Sequence, residues 1–507
     1  MKKKFYVTTA IVYANANPHI GYANEVIAAD AIARYKRLSG FDTFFLTGSD
    51  EHSTNVYDKA TEQGKDPQAY CDEMAGVYKD VWKKLDISND DYIRTSEKRH
   101  VDVVQEMLRR MHKKGDIYKG NYEGWYCTSC EAFYVEGDLA DGKCPVHKIN
   151  PEWLKEENYF FRLSEYGDKL LDIINKNPDF IKPDIRRNEI VNIIKSGLRD
   201  ISISRAGSSW GIPCPFDEQH VVYVWVDALI NYVSGAGLLW NEKRFKKYWP
   251  ADIHIIGKDI TRFHCIIWPS MLMSAGIAIP GAIFGHGFLK IQGEKISKTR
   301  GNIVDPVALV DKFGPDGVRY YLLRHLPFDS DGDFSMQSMV SRFNSDLAND
   351  LGNLFHRTLS MCEKYFDGKI PPPGTEEAKD IALRSKVEEA LKKLDASMKA
   401  LKFNNALSSI WELVDGANKY IDETAPWKLA KSDRQRLATV MQNLAQVLRI
   451  VSILLGPFMP RGAANMWEQV GCKGKLEDMR IEDASWKENK KETLVGKGEV
   501  LFPRIEE

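Results

Sequence analysis

The first hundred residues alternate between two hydrophobic patterns. Continuous apolar and β-branched runs, "KFYVTTAIV" and "FDTFFLTGSDEH", predict buried strands. The segments "NEVIAADAIARYKRLSG" and "DPQAYCDEMAGVYKDVWKKL" instead place apolar residues at helical spacing, and Gly40 marks the end of the first. This strand–helix–strand order is typical of a parallel sheet with nucleotide-binding topology. We therefore predict an α/β fold whose Rossmann-like, parallel-sheet domain has its first half in residues 1–115.

The pattern changes further along the chain. Aromatic residues, glycines and cysteines replace the alternation over residues 116–215, which predicts an insertion. Strand and helix patterns return over 216–285 as the second half of the same domain, in "HVVYVWVDALINYVSGAG", "DIHIIGKD" and "GAIFGHGFLKI". A loop-containing region follows over 286–345, and an all-helical bundle domain is predicted over 346–507. The helical segment "NSDLANDLGNLFHRTLSMCEKYF" opens that domain. One later segment carries an apolar stripe that predicts a bundle core: Leu437, Met441, Leu444, Leu448, Val451 and Leu455.

Composition narrows the class of protein. With 507 residues the chain is long enough for roughly three or four structural units. A 43% hydrophobic and 28% charged composition is ordinary for a soluble enzyme, and a net charge of −1 does not indicate a polyanion partner. A local basic face can still bind RNA. We find no uncharged run long enough to span a bilayer, and we interpret the amino-terminal "MKKKFYVTTAIV" as a strand and not a signal peptide.

The stretch "NPHIGY" lies between the first predicted strand and the first predicted helix. In open α/β sheets this junction binds ligands, and the amino end of a helix attracts phosphate through its N–H groups. Gly21 would let a ligand approach the backbone, next to His19. Taken alone, the stretch also fits a proline-marked turn with an incidental histidine.

A second stretch, "KISKT", carries Lys295 and Lys298 between Gly293 and Gly301. Two cations at this spacing can hold the negative charge that grows on a phosphate during transfer. Taken alone, the stretch also fits a solvated basic loop. The two stretches together, at opposite ends of one α/β domain, predict a phosphate site.

A third motif lies in the predicted insertion. "CTSC" and "CPVH" form a C-x2-C…C-x2-H arrangement, whose S₃N ligand set suits tetrahedral Zn²⁺. Four protein ligands leave no open position, so we predict a structural metal; a disulfide is the alternative. Eight cysteines in so long a chain, three of them clustered, favour a metal in a reducing compartment. The candidate ligands are Cys127, Cys130, Cys144 and His147.

The first two stretches resemble the "HIGH" and "KMSKS" signatures of class I aminoacyl-tRNA synthetases. Over nearly its full length the chain resembles the methionyl-tRNA synthetases, in "TAIVYANANPHIGYANE", "FLTGSDEH", "YVWVDALINY", "HIIGKDI", "FHCIIWPSML", "DLGNLFHRT" and "DETAPWKLAK". It departs from the signatures at Tyr22, which stands in place of the second histidine, and at Ile296 and Thr299. Both signature lysines are retained.

The resemblance implies a methionine–tRNA ligase. Such an enzyme activates L-methionine with ATP and Mg²⁺, then transfers it to the 3′-terminal ribose of tRNA(Met). The resemblance further implies one structural Zn²⁺, a cytoplasmic location and no membrane partner. Relatives often add a carboxyl-terminal dimerising domain that this sequence does not display, so we expect a monomer.

Three alternatives stay open. Other class I synthetases, for leucine, isoleucine or valine, carry a large editing insertion, because apolar pockets separate similar side chains poorly. The insertion here is only about a hundred residues long. A cysteinyl enzyme would need zinc in its amino-acid pocket, and this sequence shows no matching cysteines there. A non-catalytic zinc- and RNA-binding relative would not need the signature residues. A small adenylyltransferase would leave the helical third unexplained.

The resemblance also assigns residues. It implies that the catalytic residues are His19, Lys295 and Lys298. It implies that ATP is bound by His19, Gly21, Tyr22, Glu25, Gly257, Asp259 and Lys298. It implies that methionine is bound by Ile11, Tyr13, Asp50, Trp225, Ala228, Tyr232 and His264. It implies that the CAU anticodon is bound by Asn353, Arg357 and Trp427.

The chemistry of these residues agrees with those roles. A thioether favours aromatic neighbours, and Asp50 could hold an amino group. Leu229, beside Ala228, replaces a proline that we expect in some relatives. Unstacked anticodon bases can stack on Trp427 and hydrogen-bond to polar side chains. Without the resemblance, we would interpret the aromatic residues assigned to the methionine site as core residues. We would likewise interpret Trp427 as a buried tryptophan at the start of a helix.

Overall fold

The structure, a computed structural model, describes residues 3–127, 132–134, 136–145, 148–207, 210–291, 293–295, 303–487, 493–496 and 500–506. Its first part alternates strands and helices as predicted. The strands are β1 (Lys4–Thr9), β2 (Val12–Tyr13), β3 (Asp42–Asp50) and β4 (Asp91–Arg94). The helices are α1 (Ile20–Leu38), α2 (Thr54–Glu62), α3 (Pro67–Lys84) and α4 (Lys98–Lys113). Gly40 adopts a φ of +82° just after α1, which agrees with its predicted role as a helix stop.

The middle of the chain is mostly antiparallel. Its strands are β5 (Ile117–Cys127), β6 (Ala132–Tyr134), β7 (Glu152–Phe161), β8 (Ile181–Lys182), β9 (Ile201–Ser202), β10 (Ser204–Ala206), β11 (Pro213–Cys214) and β12 (Asp217–Val222). Its helices are α5 (Gly167–Lys176) and α6 (Asp184–Lys195). Strands β6, β5, β7 and β9 form one antiparallel sheet in that order, and β10, β12 and β11 form a smaller one.

The strand–helix pattern then returns. The elements are α7 (Val224–Ala236), α8 (Glu242–Tyr248), β13 (Ile253–Gly257), α9 (Trp268–Ser274), β14 (Ile283–His286), β15 (Leu289–Ile291), β16 (Glu294–Lys295), α10 (Pro306–His325) and β17 (Gly332–Phe334). The prediction of one strand over "GAIFGHGFLKI" is wrong, because the chain leaves the main sheet at Gly287. A Cβ there would lie 2.1 Å from the backbone carbonyl of Ser330, so only glycine permits this approach. Strand β15 pairs instead with β16 and β17.

One parallel sheet organises the α/β region. Its strands lie side by side in the order β4, β3, β1, β13, β14 and β8, and β2 extends alongside β3 beyond the end of β1. All of these pairings are parallel, so the carboxyl ends of the strands lie along one edge. Strand β8 comes from within residues 116–215, so this interval contributes to the main sheet as well as to the antiparallel one.

The last part of the chain is helical. Its helices are α11 (Met336–Arg342), α12 (Gly352–Phe366), α13 (Ala378–Lys399), α14 (Phe403–Thr424), α15 (Pro426–Ser432), α16 (Arg434–Leu455) and α17 (Pro460–Gln469). A short antiparallel pair, β18 (Lys369–Ile370) and β19 (Thr493–Leu494), accompanies them. The helix predicted before Phe366 begins as a π-helical segment, Phe343–Leu351.

Helix α16 forms the centre of this helical part. Its predicted apolar stripe is buried, and so is nearly every other residue from Arg436 to Leu455, because helices pack on several of its sides. Among the described helices, α16 is the one long and apolar enough to cross a membrane by composition. Since 94% of that apolar window is buried inside the molecule, a core role accounts for its composition.

A buried ion pair joins the α/β region to the helical part. The Arg319 guanidinium on α10 lies 2.7 Å from the Asp30 carboxylate on α1, and both side chains are fully buried. Arg319 also donates to the carbonyl oxygens of Pro457 and Phe458, between α16 and α17. The helix that starts beside His19 is therefore connected to the bundle through Arg319.

Candidate functional site

Successive strands deliver candidate residues to the carboxyl edge of the parallel sheet. Ile11 follows β1, Tyr13 ends β2, Asp50 ends β3 and Gly257 ends β13. His286, which the sequence did not single out, ends β14 at the same edge. Ligands of open α/β sheets bind at this edge, where α1 also begins.

His19 occupies the cap position at the amino end of α1. Its Nδ1 accepts a hydrogen bond from the Gly21 N–H at 3.1 Å. Because Nδ1 accepts, a neutral His19 carries its proton on Nε2, which is then a donor at the positive end of the helix. The N–H of Ile20, the residue that follows His19, donates to the Val304 carbonyl oxygen at 3.0 Å. The start of the helix is therefore tied to the chain after the "KISKT" stretch.

Tyr22 stacks on His19. The two ring centroids lie 4.2 Å apart and the planes differ by 18°. Burial raises the pKa of Tyr22 to about 12, and the charges of Asp259 and Glu25 add to the rise. The phenol therefore stays neutral at physiological pH, and its ring fixes the plane of the His19 imidazole.

Glu25 is buried and hydrogen-bonded at both oxygens. Its Oε1 accepts from the Ala10 N–H at 2.9 Å, and its Oε2 lies 2.8 Å from Nε2 of His286. Asp259 is exposed, in the turn that follows Gly257. The three carboxyl-edge elements, β1, β13 and β14, thus converge around the first turns of α1.

Lys258, between the two predicted adenosine-contacting residues, is held by the protein. Its Nζ lies 2.6 Å from the Asp331 carboxylate and 4.6 Å from the centre of the Phe288 ring. Lys290 pairs with the same carboxylate at 2.8 Å. Burial alone would raise the pKa of Asp331, but hydrogen bonds from Lys258, Lys290 and the Phe288 N–H hold it well below its usual range. This cluster fixes β15 and β17 to the end of β13.

All seven predicted methionine-site residues line one cavity at this edge. The cavity has a volume of about 40 Å³ and opens to solvent. Four further residues share its wall: Ala10, Leu229, Asn231 and Ile260. Trp225 stacks on Phe263 at 3.9 Å between ring centroids and meets Tyr13 edge-on at 6.3 Å. The aromatics predicted for the pocket therefore border open space as well as core.

The hydrogen bonds of His264 define its protonation state. Its Nδ1 lies 3.0 Å from the Ile260 carbonyl oxygen, which can only accept, so Nδ1 carries a proton. Its Nε2 lies 2.7 Å from the Tyr232 hydroxyl. Burial lowers the pKa of His264 to about 4, so the imidazole is neutral and Nε2 accepts from the phenol. The hydrogen-bonded pair of Tyr232 and His264 in the cavity wall is thus uncharged.

A buried network beside the cavity was not predicted. The Asp227 carboxylate, fully buried in α7, lies 2.7 Å from Nδ1 of His52 and 2.6 Å from Nε2 of His100. Burial alone would raise the pKa of Asp227, but the His52 charge and hydrogen bonds from both imidazoles lower it. This network fixes α7, which carries part of the cavity wall, to the loop after Asp50. The two histidines and the aspartate are far apart in the sequence, so no motif connects them.

The second signature and half of the zinc motif fall outside the described residues. Lys298 is among these, and Lys295 is described only by its backbone, which pairs with Lys290. Cys130 and His147 are also outside the described residues. Cys127 and Cys144 are both buried, and neither forms a disulfide in the described part of the chain.

The predicted anticodon residues lie on the helical part. Asn353 and Arg357 are four residues apart on α12, and Arg357 donates to the Asp422 carboxylate of α14 at 2.9 Å. Trp427, in the first turn of α15, is 43% exposed. It is therefore not the buried tryptophan that the sequence alone would favour. Ala425, with a φ of +44°, turns the chain between α14 and α15.

Known families match both parts of the chain. A family model described as tRNA synthetases class I (M) matches residues 5–150 and 134–359. A second, described as the anticodon binding domain of methionyl tRNA ligase, matches residues 370–507.

Individual relatives match over the whole chain. A methionine–tRNA ligase of Caldanaerobacter subterraneus is 51% identical over all of this chain and 80% of its own length. One from Thermotoga maritima is 47% identical over 99% of this chain and 80% of its own length. A solved structure, the Mycobacterium tuberculosis methionyl-tRNA synthetase in complex with methionyl-adenylate, is 44% identical with a TM-score of 0.96, covering 99% of this chain and all of the other. The chain therefore belongs to the methionyl-tRNA synthetases, a family of class I aminoacyl-tRNA synthetases.

Proposed function

We propose that this chain ligates methionine to tRNA(Met) through a methionyl-adenylate intermediate. The observation that supports this most directly is the cavity at the carboxyl edge of the sheet, which all seven predicted methionine-site residues line. It lies beside the amino end of α1, where His19 and Tyr22 provide a candidate phosphate site. Amino acid and ATP would thus meet at one edge.

The cavity offers a methionine side chain a suitable environment. A thioether is apolar and polarizable, and it gains from contact with the rings of Tyr13, Trp225 and Tyr232. Neutral His264 adds no charge that would have to be desolvated with it. The buried carboxylate of Asp50, at the cavity wall, would hold the substrate ammonium.

The first chemical step joins methionine to AMP. A methionine carboxylate oxygen attacks the α-phosphorus of ATP, a new P–O bond forms, and the bond to the pyrophosphate oxygen breaks. His19 would donate from Nε2 to a phosphate oxygen as negative charge moves onto pyrophosphate, with the signature lysines. Mg²⁺, which enters with ATP, would neutralise part of the phosphate charge. Glu25, Gly257 and Asp259 would contact the adenosine part, and most of the catalysis would be orientation.

The second step transfers the acyl group. A ribose hydroxyl at the tRNA 3′ end attacks the carbonyl carbon of the adenylate, and AMP leaves. tRNA selection would rest on α12 and α15, where the exposed ring of Trp427 can stack on an unpaired base. Asn353 and Arg357 would hydrogen-bond to base edges, with the guanidinium oriented by Asp422.

One Zn²⁺ is proposed at the cysteine motif, and the described half of that motif fits it. Cys127 and Cys144 supply two buried sulfur donors outside any described disulfide. Cys144 also begins a tight turn, since its N–H donates to the Ile149 carbonyl and its carbonyl accepts from the Lys148 N–H. Cys130 and His147 would complete the ligand set. The metal would hold β5 and the following turns together.

The monomeric state and the cytoplasmic location stay predictions. Light scattering of the purified chain measures the first. A mass near 57.8 kDa would agree with a monomer, and twice that mass would contradict it.

ATP–pyrophosphate exchange tests the activation step without tRNA. The assay is run with each of the twenty amino acids in turn. Exchange that depends on methionine would support both the cavity assignment and the adenylate step. Exchange with another amino acid would overturn the cavity assignment, and exchange with none, in folded and zinc-loaded protein, would favour the non-catalytic alternative. Charging of tRNA(Met) transcripts then tests the second step.

A further inference from the structure

His286 is a buried histidine at the site with acceptors at both ring nitrogens. Its Nε2 faces the Glu25 carboxylate at 2.8 Å, and its Nδ1 faces the Gly287 carbonyl oxygen at 2.8 Å. A neutral imidazole has one N–H and cannot donate to both. The side chains of His286 and Glu25 are only 8% and 11% exposed, so water does not readily replace either bond.

From this geometry we infer that His286 is a positioning residue, an imidazolium that holds the Glu25 side chain oriented toward bound ATP. The inference rests on the proposed function, in which Glu25 contacts the adenosine part. With Oε1 fixed by the Ala10 N–H and Oε2 by His286, each oxygen keeps a lone-pair direction for a ribose hydroxyl.

The surroundings of His286 favour the charged form. Burial alone would lower its pKa, but the hydrogen bond and charge of Glu25, then the Gly287 carbonyl and the Asp259 charge, raise it above the ordinary value. Lys258, in the turn that follows β13, is a cation near His286, and its charge is neutralised by the Asp331 carboxylate. The ring is also clamped from one face, because Phe328 stacks on it at 5.2 Å between centroids.

The same stacking connects the site to the helical part. Phe328 contacts Phe284 on β14 at 5.2 Å and meets Phe403, the first residue of α14, at 5.1 Å. His286 is therefore held by β14, by the chain after α10 and by the bundle. His286 is not part of the described wall of the methionine cavity, and Glu25 touches that wall through the backbone N–H of Ala10 and not through the side chains predicted to bind methionine. A change at His286 should thus separate ATP binding from methionine binding.

The test uses two variants in methionine-dependent ATP–pyrophosphate exchange. His286→Asn removes the donor to Glu25, whereas His286→Gln can keep a neutral donor at the Nε2 position. For His286→Asn the KM for ATP should rise about 10- to 100-fold, the value of a hydrogen bond to a charged group, with the KM for methionine unchanged. His286→Gln should show a smaller rise. His112→Asn, an exposed histidine at the end of α4, is the matched control and should change neither constant.

The pH profile distinguishes positioning from a purely structural role. In the wild type the KM for ATP should rise as pH increases through the raised pKa of His286, because the imidazolium is lost. His286→Gln has no such proton and should show no rise over that range. Methionine binding measured by equilibrium dialysis should have the same dissociation constant in all variants.

Three outcomes would count against these ideas, and they differ. An unchanged KM for ATP in His286→Asn would overturn the role of His286 alone. Equal rises in the KM for ATP and for methionine in both variants would show a general structural defect and also overturn it. Wild-type protein that exchanges with no amino acid would overturn the proposed function, and this inference with it.

Discussion

The ion pair between Arg319 and Asp30 should be among the costliest single contacts to break. Asp30 is fully buried, and it accepts from Arg34 at 2.7 Å and from the Ser88 N–H at 2.7 Å besides pairing with Arg319. Arg319 in turn donates to three backbone carbonyls, including that of Leu85 at 3.2 Å. Replacing one partner leaves the other as a buried charge that has lost a fully buried counter-charge at 2.7 Å.

The magnitude follows from that arrangement. Arg319→Met removes the donor to Asp30 and to three carbonyls, and it should cost about 3–5 kcal/mol of unfolding free energy. Asp30→Leu strands the Arg319 guanidinium and should cost a similar amount. The double variant leaves neither charge, so it should cost at least about 2 kcal/mol less than the sum of the single changes.

Urea unfolding at pH 7.5, followed by intrinsic fluorescence, measures these differences as shifts of the transition midpoint. The control is Arg461→Met, because Arg461 pairs with Asp86 in the same junction but is 58% exposed. Exposed pairs contribute little, so this change should cost about 0–1 kcal/mol. Additive single and double variants would refute the reasoning, since they would show no coupling between the two charges.

The ion pair also predicts how the free energy of unfolding changes with pH. Burial alone would raise the pKa of Asp30, but the charges of Arg319 and Arg34 and the Ser88 hydrogen bonds lower it. A depressed native pKa stabilises the fold fully above the unfolded value of about 3.9. That stabilisation is lost as pH falls through the native pKa, so acid should narrow the difference between wild type and Arg319→Met.

Three further predictions concern the site, the metal and the RNA. With the pKa of His264 at about 4, the imidazole is neutral from pH 6 to 8, so this group should cause no change in the KM for methionine over that range; a one-proton change that disappears in His264→Gln would contradict this. Cys144→Ser should lower the zinc content below one per chain by elemental analysis, while Cys71→Ser, at a buried cysteine of α3, should not; full zinc in Cys144→Ser would overturn the ligand assignment. Trp427→Ala should lower kcat/KM for tRNA about 5- to 150-fold, the worth of one stacked base, and leave ATP–pyrophosphate exchange unchanged; an unchanged kcat/KM would remove Trp427 from the anticodon site.

Much of the fold could be predicted from the sequence because the local hydrophobic patterns agreed with the tertiary arrangement. The apolar runs of β1 and β3 and the helical spacing of α1 and α3 correspond to observed elements. The prediction of one strand over "GAIFGHGFLKI" was wrong, and no local sequence pattern could have shown why. Its break at Gly287 is imposed by the backbone at Ser330, more than forty positions away in the chain.

The residues of the candidate site likewise fall into two groups: those that a sequence motif identifies and those that only the tertiary structure brings together. Residues within a motif, such as His19 and the lysines of "KISKT", could be named from the sequence. His286 and Asp227 could not, because their partners come from distant segments and their roles depend on which nitrogen faces which oxygen. No local signal marked His286 as an edge residue, because it lies in the middle of "GAIFGHGFLKI", which predicts one continuous strand.

The departure at Tyr22 can now be given a physical meaning. A second histidine at this position could carry a proton toward the phosphates, whereas a phenol with a pKa of about 12 stays neutral. In the proposed reaction, positive potential must then come from the amino end of α1, from the Nε2–H of His19 and from the signature lysines. What Tyr22 adds is geometry, because a ring stacked at 4.2 Å restricts His19 to the orientation in which Nδ1 caps the helix. With Nδ1 engaged in that way, the one proton of the imidazole is directed to Nε2, and the substitution replaces a side chain that could carry positive charge with a neutral phenol that orients His19.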